Sequence, residues 1–479
     1  MEGDIIDLLL QLKKEQLTPI DLSLEDIKGI LMNVLVAGSD TSASVIIWAM
    51  TILIKNPKAM KKVQEEIRNL IGNKEIVNED DIQNMPYFKA VIKETLRLFP
   101  PAPLLIPRES MKISTLEGLK KVQLFGPIRK DEVSRMIKKI YQLAVNSQVT
   151  NLSNLMISLN CTIICRVAFG VRFDEEAHER KRFNHILVEA QAMLASFFVS
   201  DFFPSLSWID KLTGLTDRLE KNFKDLDDFY EELIEQHYNP NRPKSMEGDI
   251  IDLLLQLKKE QLTPIDLSLE DIKGILMNVL VAGSDTSASV IIWAMTILIK
   301  NPKAMKKVQE EIRNLMGNKN IVNEDDIQNM PYFKAVIKET LRLFPPVPLS
   351  IPRESMKIST LEGYEFQPRT IVYVNAWAIA RDPEIWENPE EFMPERFLNS
   401  DIDFKGQDYE FIPFGAGRRG CPAMALGVAS VELALSNLLY AFDWELPYGL
   451  KKEDIDINGR PGITMNKKND LCLIPKKYF

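Results

Sequence analysis

The sequence predicts a mainly α-helical fold with a minor β-sheet, and three observations carry that expectation. Apolar residues recur at helical spacing over long stretches that open on capping residues and close on prolines. Strand signals are short and few. Hydrophobic residues make up 45% and charged residues 27% of the 479 positions, values of a packed globular chain rather than a disordered, collagen-like or coiled-coil one.

The longest helix is expected from Ser268, where Ser-Leu-Glu-Asp forms a capping box and Ile272, Ile275, Leu276, Val279 and Leu280 follow at helical spacing. Nothing breaks it before Asn301-Pro302, so it runs for about 30 residues, roughly 45 Å, enough to cross a domain. Its stretch from Gly274 to Ile299 is long and apolar enough to span a bilayer. Asn278, Ser284 and Asp285 inside it favour a buried helix instead, because a mid-membrane carboxylate costs several kcal/mol. A second helix opens at Pro331, carries Phe333, Val336, Ile337, Leu341 and Phe344 on one side, and stops at Pro345-Pro346. Glu132 to His237 reads as mainly helical, with breakers at Pro204 and at Asn239-Pro-Asn-Arg-Pro243. Strands are expected at Thr370 to Val374, near Met465, and from Leu471 to Ile474.

Lys+Arg 59 against Asp+Glu 68 gives a net charge of −9, which argues against a nucleic-acid partner. Cys161, Cys165, Cys421 and Cys472 form no C-x-x-C pair and are too few for a disulfide scaffold. His178, His185 and His237 lack H-x-x-x-H spacing, so any metal chemistry needs another ligand set. The N-terminus shows neither a secretory signal nor a membrane anchor.

Residues 1 to 118 recur as 246 to 363. Only Ile71/Met316, Glu75/Asn320, Ala102/Val347 and Leu105/Ser350 differ, leaving 118 − 4 = 114 identities. One long segment present twice is not a solenoid array. Residues 119 to 479 are expected to form one catalytic unit, and residues 1 to 118 a duplicated fragment outside its site.

The most informative stretch is Phe414-Gly-Ala-Gly417-Arg418-Arg419-Gly420-Cys421-Pro422. Its glycines allow close approach of a flat ligand, and Cys421 precedes a helical run from Met424, whose N-terminus favours a thiolate. A lone thiolate suits the axial position of a haem iron, since the porphyrin supplies four nitrogens. An isolated cysteine otherwise reads as an inert buried thiol; the pattern F-x-x-G-x-R-x-C favours the ligand. In the long helix, Gly283 allows a local opening beside Asp285 and Thr286, an acid next to an alcohol, although those residues taken alone favour a capped kink with a core threonine. Glu339 and Arg342 stand three apart on one helix face, a spacing common in surface pairs worth about 0 to 1 kcal/mol.

In their order, these motifs resemble the cytochrome P450 family, plant 71 clan, near the branch that oxidises aldoximes. The resemblance implies the cytochrome P450 fold, incomplete here at its N-terminal side, because no W-x-x-x-R helix or anchor stands upstream of Lys120. It implies that Cys421 is the thiolate ligand of haem b, that Phe414 packs by the sulfur and Gly417 shapes the loop, and that Arg419 and Arg353 face haem propionates. Arg353 reads equally as a surface charge. It further implies that Asp285 and Thr286 relay protons to dioxygen, and that Glu339, Arg342 and Arg396 of Pro394-Glu-Arg-Phe397 form a buried structural triad. Phe197, Phe198, Ala282, Val347, Ile351 and Ile463 would contact substrate, each being otherwise ordinary core. Ala423 departs from the family's usual glycine.

The activity implied is a monooxygenase that inserts one atom of O2 into a small apolar plant metabolite, with electrons from NADPH through NADPH-cytochrome P450 reductase near Arg418, Lys451 and Lys452. Location by family is the cytosolic face of the endoplasmic reticulum membrane; the missing anchor leaves the cytoplasm as the other expectation. The alternative reading is a catalytically dead fusion or duplication product. The first copy carries Ala37, Gly38, Asp40, Thr41, Glu94 and Arg97 without a cysteine loop, and is expected to pack poorly.

Overall fold

The computed structural model describes residues 49–72, 74, 77–82, 85–98, 122–173, 178–260, 267–317 and 319–478. The chain divides into two units, Met1–Ser110 and Met111–Phe479. The boundary expected at 118/119 lies outside the described residues, as do Ala37, Gly38, Asp40 and Thr41 and the side chain of Arg97.

In the first unit, helix α1 (Pro57–Ile71) starts with proline in its first turn, where no N–H partner is needed, and ends at Gly72, whose φ of 58° suits glycine. Helix α2 (Pro86–Leu98) packs on it. The Glu66 carboxylate joins them by accepting from the Tyr87 and Phe88 backbone N–H groups at 2.8 and 2.7 Å, which satisfies two orphan donors of the second helix.

The second unit holds the longer helices α3 (Gly126–Val145), α4 (Leu152–Phe169), α5 (His178–Ala195), α6 (Leu215–Tyr238), α7 (Ile250–Glu260), α8 (Leu269–Lys300), α9 (Pro302–Met316), α10 (Pro331–Leu343) and α11 (Met424–Ala441). Helix α8 is the organiser: it packs on α4, α10 and α11. Its N-terminus carries the expected capping box. The Ser268 hydroxyl accepts from Asp271 N–H at 3.0 Å, and the Asp271 carboxylate accepts from Ser268 N–H at 2.9 Å. Around its C-terminal half, Ile291, Met295 and Leu298 join Val336 and Ile337 of α10 and Leu435 and Leu438 of α11 in the main core. Around its N-terminal half, Ile272, Leu276 and Leu280 join Phe169, Phe183, Phe229 and Tyr230. Each fully buried leucine contributes about 1.5–3 kcal/mol. Helices α4, α8 and α11 are each long and apolar enough to cross a membrane; here α8 packs on both of the others.

The second copy is tied to the unduplicated sequence by polar bonds. Arg129 forks onto Glu324 at 2.7 and 2.9 Å, His237 Nε2 meets Asp249 at 2.7 Å, Lys273 meets Asp227 at 2.8 Å, and Gln309 donates to the Phe442 carbonyl at 3.0 Å.

The strands are the least well anticipated elements. Strand β1 (Thr150–Asn151), β6 (Phe442–Glu445) and β7 (Cys472–Lys477) form a sheet in the order β1-β7-β6, so the expected Leu471 to Ile474 strand runs further and lies centrally. Strand β2 (Arg353–Glu354) pairs with β5 (Ile371–Val372), which shortens the expected Thr370 to Val374 strand. Strands β3 (Ser359–Leu361) and β4 (Tyr364–Phe366) form a hairpin whose turn uses Glu362 and Gly363 at φ 48° and 85°, both in the left-handed region. Near Met465 the expected strand is reduced to an isolated antiparallel bridge between Gly459 and Lys467, and Met465 itself is not part of it. Its N–H bonds the Pro346 carbonyl at 2.8 Å and its carbonyl accepts from Trp293 and Ser289 at 2.7 and 2.9 Å, so helix α8 takes the groups a ladder would use.

Candidate functional site

The cysteine loop is a closed turn. Gly415 N–H bonds the Ile412 carbonyl at 2.9 Å, Gly420 N–H the Gly417 carbonyl at 3.1 Å, and Cys421 N–H the Phe414 carbonyl at 2.8 Å. Gly415 and Gly417 sit at φ 72° and 69°, a conformation that a side chain disfavours, so the loop's glycines are conformational requirements. Phe414 is held edge-on against Phe404 at 5.5 Å. Arg353, from strand β2, donates from Nη2 to the Arg419 carbonyl at 3.2 Å, which places its guanidinium over the loop, while Arg418 and Arg419 are exposed.

Cys421 opens into an apolar cavity of about 530 Å³, within the roughly 300–1,000 Å³ range of ligand pockets. The loop and α11 supply Phe414, Cys421, Leu426 and Val431; α8 supplies Ala282, Gly283, Thr286 and Val290; α4 supplies Asn160 and Ile164; α10 supplies Ile337 and Leu341. Cys421 is exposed and lines this cavity. Burial pushes its thiol pKa up, and the Ala423 N–H pulls the other way without overcoming it.

The acid and the alcohol of α8 face different surroundings. Thr286 lines the cavity and its Oγ1 donates to the Ala282 carbonyl one turn back at 2.9 Å. Asp285 lies outside the cavity lining and accepts from Asn466 Nδ2 at 2.7 Å; burial raises its pKa, and the Asn466 bond only partly offsets that. Helix α8 is unbroken through Ala282–Ser287, so the glycine does not interrupt it. Gly283 also serves helix packing: a Cβ there would stand 2.9 Å from Ile164 Cδ1. Buried Asn160 holds the same turn, donating from Nδ2 to the Gly283 and Ser284 carbonyls at 2.5 and 2.9 Å. A single asparagine whose partners lie 123 and 124 positions away leaves no pattern to read in sequence, and it escaped notice there.

Below the cavity wall, α10 carries the charged cluster. Glu339 and Arg342 are both 0% exposed. Arg342 forks onto the carboxylate at 2.8 and 2.8 Å, Arg396 Nε reaches it at 3.1 Å, and Met393 N–H adds a bond at 2.9 Å. The remaining Arg342 donors meet the carbonyls of Ala380, Pro389 and Glu391, and both guanidiniums approach the Trp386 ring. Fully paired burial of this kind makes the cluster a structural clamp rather than the surface pair that three-residue spacing allows.

Of the remaining sequence candidates, Ala282 lines the cavity, whereas Phe197, Phe198, Val347, Ile351 and Ile463 stand outside its lining, with Gly417, Arg419 and Arg353. Phe197 is 61% exposed and stacks on Phe202 at 4.9 Å; Ile351 is 59% exposed.

A family model described as Cytochrome P450 matches residues 2–123 and residues 113–474. The chain is similar to 6,7,8-trihydroxycoumarin synthase of Pastinaca sativa, 49% identical over 78% of this chain and 75% of the relative. It is similar to Strychnine-11-hydroxylase of Strychnos nux-vomica, 46% identical over 77% and 72%. Cytochrome P450 71A1 of Persea americana is 43% identical over 78% and 75%.

Proposed function

The chain belongs to the cytochrome P450 family of haem monooxygenases, and from that premise we propose that residues 119–479 insert one oxygen atom from O2 into a small apolar plant metabolite, with electrons from NADPH through a reductase. The single observation that carries this reading is that Cys421 and Thr286 line one apolar cavity.

The donor set fits a haem b. Among the lining residues Cys421 is the sole thiol, and no imidazole or carboxylate accompanies it, a donor set that suits a metal carried by a porphyrin with one protein ligand. Cys421 would ligate the iron, Phe414 would pack beside the sulfur, Gly417 would keep the loop open, and Arg353 and Arg419 would meet the propionates. Bound haem supplies the redox chemistry of oxygen activation. The protein's part is binding, orientation and proton supply. Thr286 Oγ1 holds a proton at the cavity wall. Asp285, with its pKa raised by burial, holds its own proton to higher pH than an ordinary carboxyl and sits one residue away as the proposed reserve. Ala282, Val290 and Leu426 present apolar surface that excludes water and seats an apolar substrate.

One of the similar proteins is named for making a hydroxylated coumarin and another for hydroxylating strychnine, which supports oxygen insertion into a plant metabolite. Ala282 would touch it directly; Phe197, Phe198, Val347, Ile351 and Ile463 are proposed contacts that rest on family likeness. The exposed cations Arg418, Lys451 and Lys452 are the proposed reductase contacts, and the endoplasmic reticulum surface the proposed location. The duplicated segment 1–118 is proposed to lie outside the haem site; the cavity takes its α7, α8 and α10 walls from the second copy.

Optical titration of the haem-loaded chain tests the substrate reading. A coumarin is expected to shift the Soret band saturably, and an aldoxime to do so more weakly. A shift with aldoximes alone would move the chain to the aldoxime-oxidising branch, and no shift with either would overturn the proposed substrate class.

A further inference from the structure

The first unit contains a groove of about 740 Å³ between α1 and α2, walled by Leu53, Lys62, Tyr87, Val91 and Glu94 among others. The second copy shows what such a groove holds, because the two receptors are built alike from nearly the same sequence. Glu66 caps Tyr87 and Phe88 at 2.8 and 2.7 Å, and Glu311 caps Tyr332 and Phe333 at 2.9 and 2.8 Å. Lys74 meets Asp81 at 2.8 Å as Lys319 meets Asp326 at 2.6 Å. Gly72 and Gly317 end the paired helices at φ 58° and 55°.

In the second copy the equivalent groove is filled by Phe392-Met-Pro-Glu-Arg-Phe397. Glu395 pairs with Lys307 at 2.9 Å, Arg396 with Glu339 at 3.1 Å, Met393 N–H bonds Glu339 at 2.9 Å, and Phe397 enters the core that includes Val336. In the second unit this segment, together with α8, α9 and α11, packs on α10 and the walls are buried. Tyr332, Ala335, Val336 and Glu339 are buried, whereas their counterparts Tyr87 and Val91 are half-buried and Ala90 and Glu94 exposed. Arg396 shares Glu339 with Arg342, so the site accepts an incoming guanidinium even where the carboxylate already has a partner.

We propose that the groove of the first unit is a docking surface for a peptide segment of this chemistry: an aromatic anchor, then Pro-Glu-Arg-Phe, presented by another molecule. Lys62 takes the glutamate, Glu94 the arginine, and Val91 and Leu53 the closing phenylalanine. This rests on the duplication and on the second copy's geometry, and is independent of haem binding.

The test is fluorescence anisotropy of a labelled peptide, residues 385–400, titrated with the full chain. One saturable site is expected. Lys62→Glu weakens binding about tenfold, roughly one charge-assisted hydrogen bond, and a peptide carrying Glu395→Lys restores it. Lys307→Glu, in the groove already filled, leaves the affinity unchanged. No saturation at millimolar protein, equal loss in the Lys307→Glu chain, or failure of the charge-reversed peptide to recover binding would each overturn the proposal.

Discussion

The duplication places one glutamate in two environments, so Glu339→Gln and its counterpart Glu94→Gln make a matched pair. Glu339 is fully buried and accepts four bonds, two from Arg342, one from Arg396 and one from Met393 N–H. Glutamine retains one acceptor oxygen but turns an amide donor toward a guanidinium donor, and it removes the only negative charge shared by the two cations. Breaking a buried ion pair from one side costs about 3–5 kcal/mol, and the carbonyls of Ala380, Pro389 and Glu391 that hold Arg342 keep it from swinging to solvent. Glu94 stands on the same helix sequence but is exposed, so its replacement is expected to stay within about 0.5 kcal/mol. Urea unfolding followed by far-ultraviolet circular dichroism on the wild type and both variants reads the difference. Equal losses in the two variants, or a Glu339→Gln loss under about 1 kcal/mol, would refute the assignment of the triad as a buried clamp.

Four further outcomes are expected. Gly283→Val drives a side chain into Ile164, destabilises by about 1–3 kcal/mol, and is rescued by Ile164→Ala; lack of rescue in the double variant's unfolding curve would exclude close helix packing as the reason for the glycine. Thr286→Val keeps the shape of the cavity wall but removes the hydroxyl, so product formed per NADPH consumed should fall, by up to about 10²-fold in rate, while substrate-induced spectral shifts keep their midpoint. Cys421→Ala should leave the circular dichroism spectrum intact, because the side chain faces the cavity rather than the core, yet abolish any thiolate signature of bound haem. Burial opposes the charge on His237, but hydrogen bonds to Asp249 and the Leu233 carbonyl outweigh it, and its pKa is raised. The stability this group adds is complete below the unfolded imidazole value of about 6.5 and is lost as pH rises through the higher folded value. The urea midpoint should therefore decline above about pH 6.5, and His237→Gln should flatten that decline.

Local chemistry explains which parts were legible in advance. The capping box at Ser268 and the prolines at 302, 331 and 345 fixed α8 and α10 because each acts on the backbone within a turn of itself. Short strands such as Ile371–Val372 gave too few alternating positions to carry a signal, and Met465 looked like part of a strand although its own hydrogen bonds go to two helix side chains and a distant carbonyl, with only a single bridge at Lys467 beside it. The E-x-x-R spacing showed that Glu339 and Arg342 share a face but not that the face is buried, since burial is supplied by Trp386 and Phe397 far along the chain. Gly283 suggested a flexible helix, and only the position of Ile164 reveals it as a packing contact. Asn160 and Asn466, which hold the two sides of the acid–alcohol turn, are isolated asparagines whose partners are set by tertiary structure alone.

The most direct measurement is the optical difference spectrum of the purified full chain, loaded with haem, reduced and exposed to carbon monoxide. Ligation by Cys421 predicts the strongly red-shifted Soret band of a thiolate-bound haem carbonyl, lost on Cys421→Ala. A band at the position of histidine-ligated haem, no haem retained after gel filtration, or an unchanged band in the Cys421→Ala chain would contradict it.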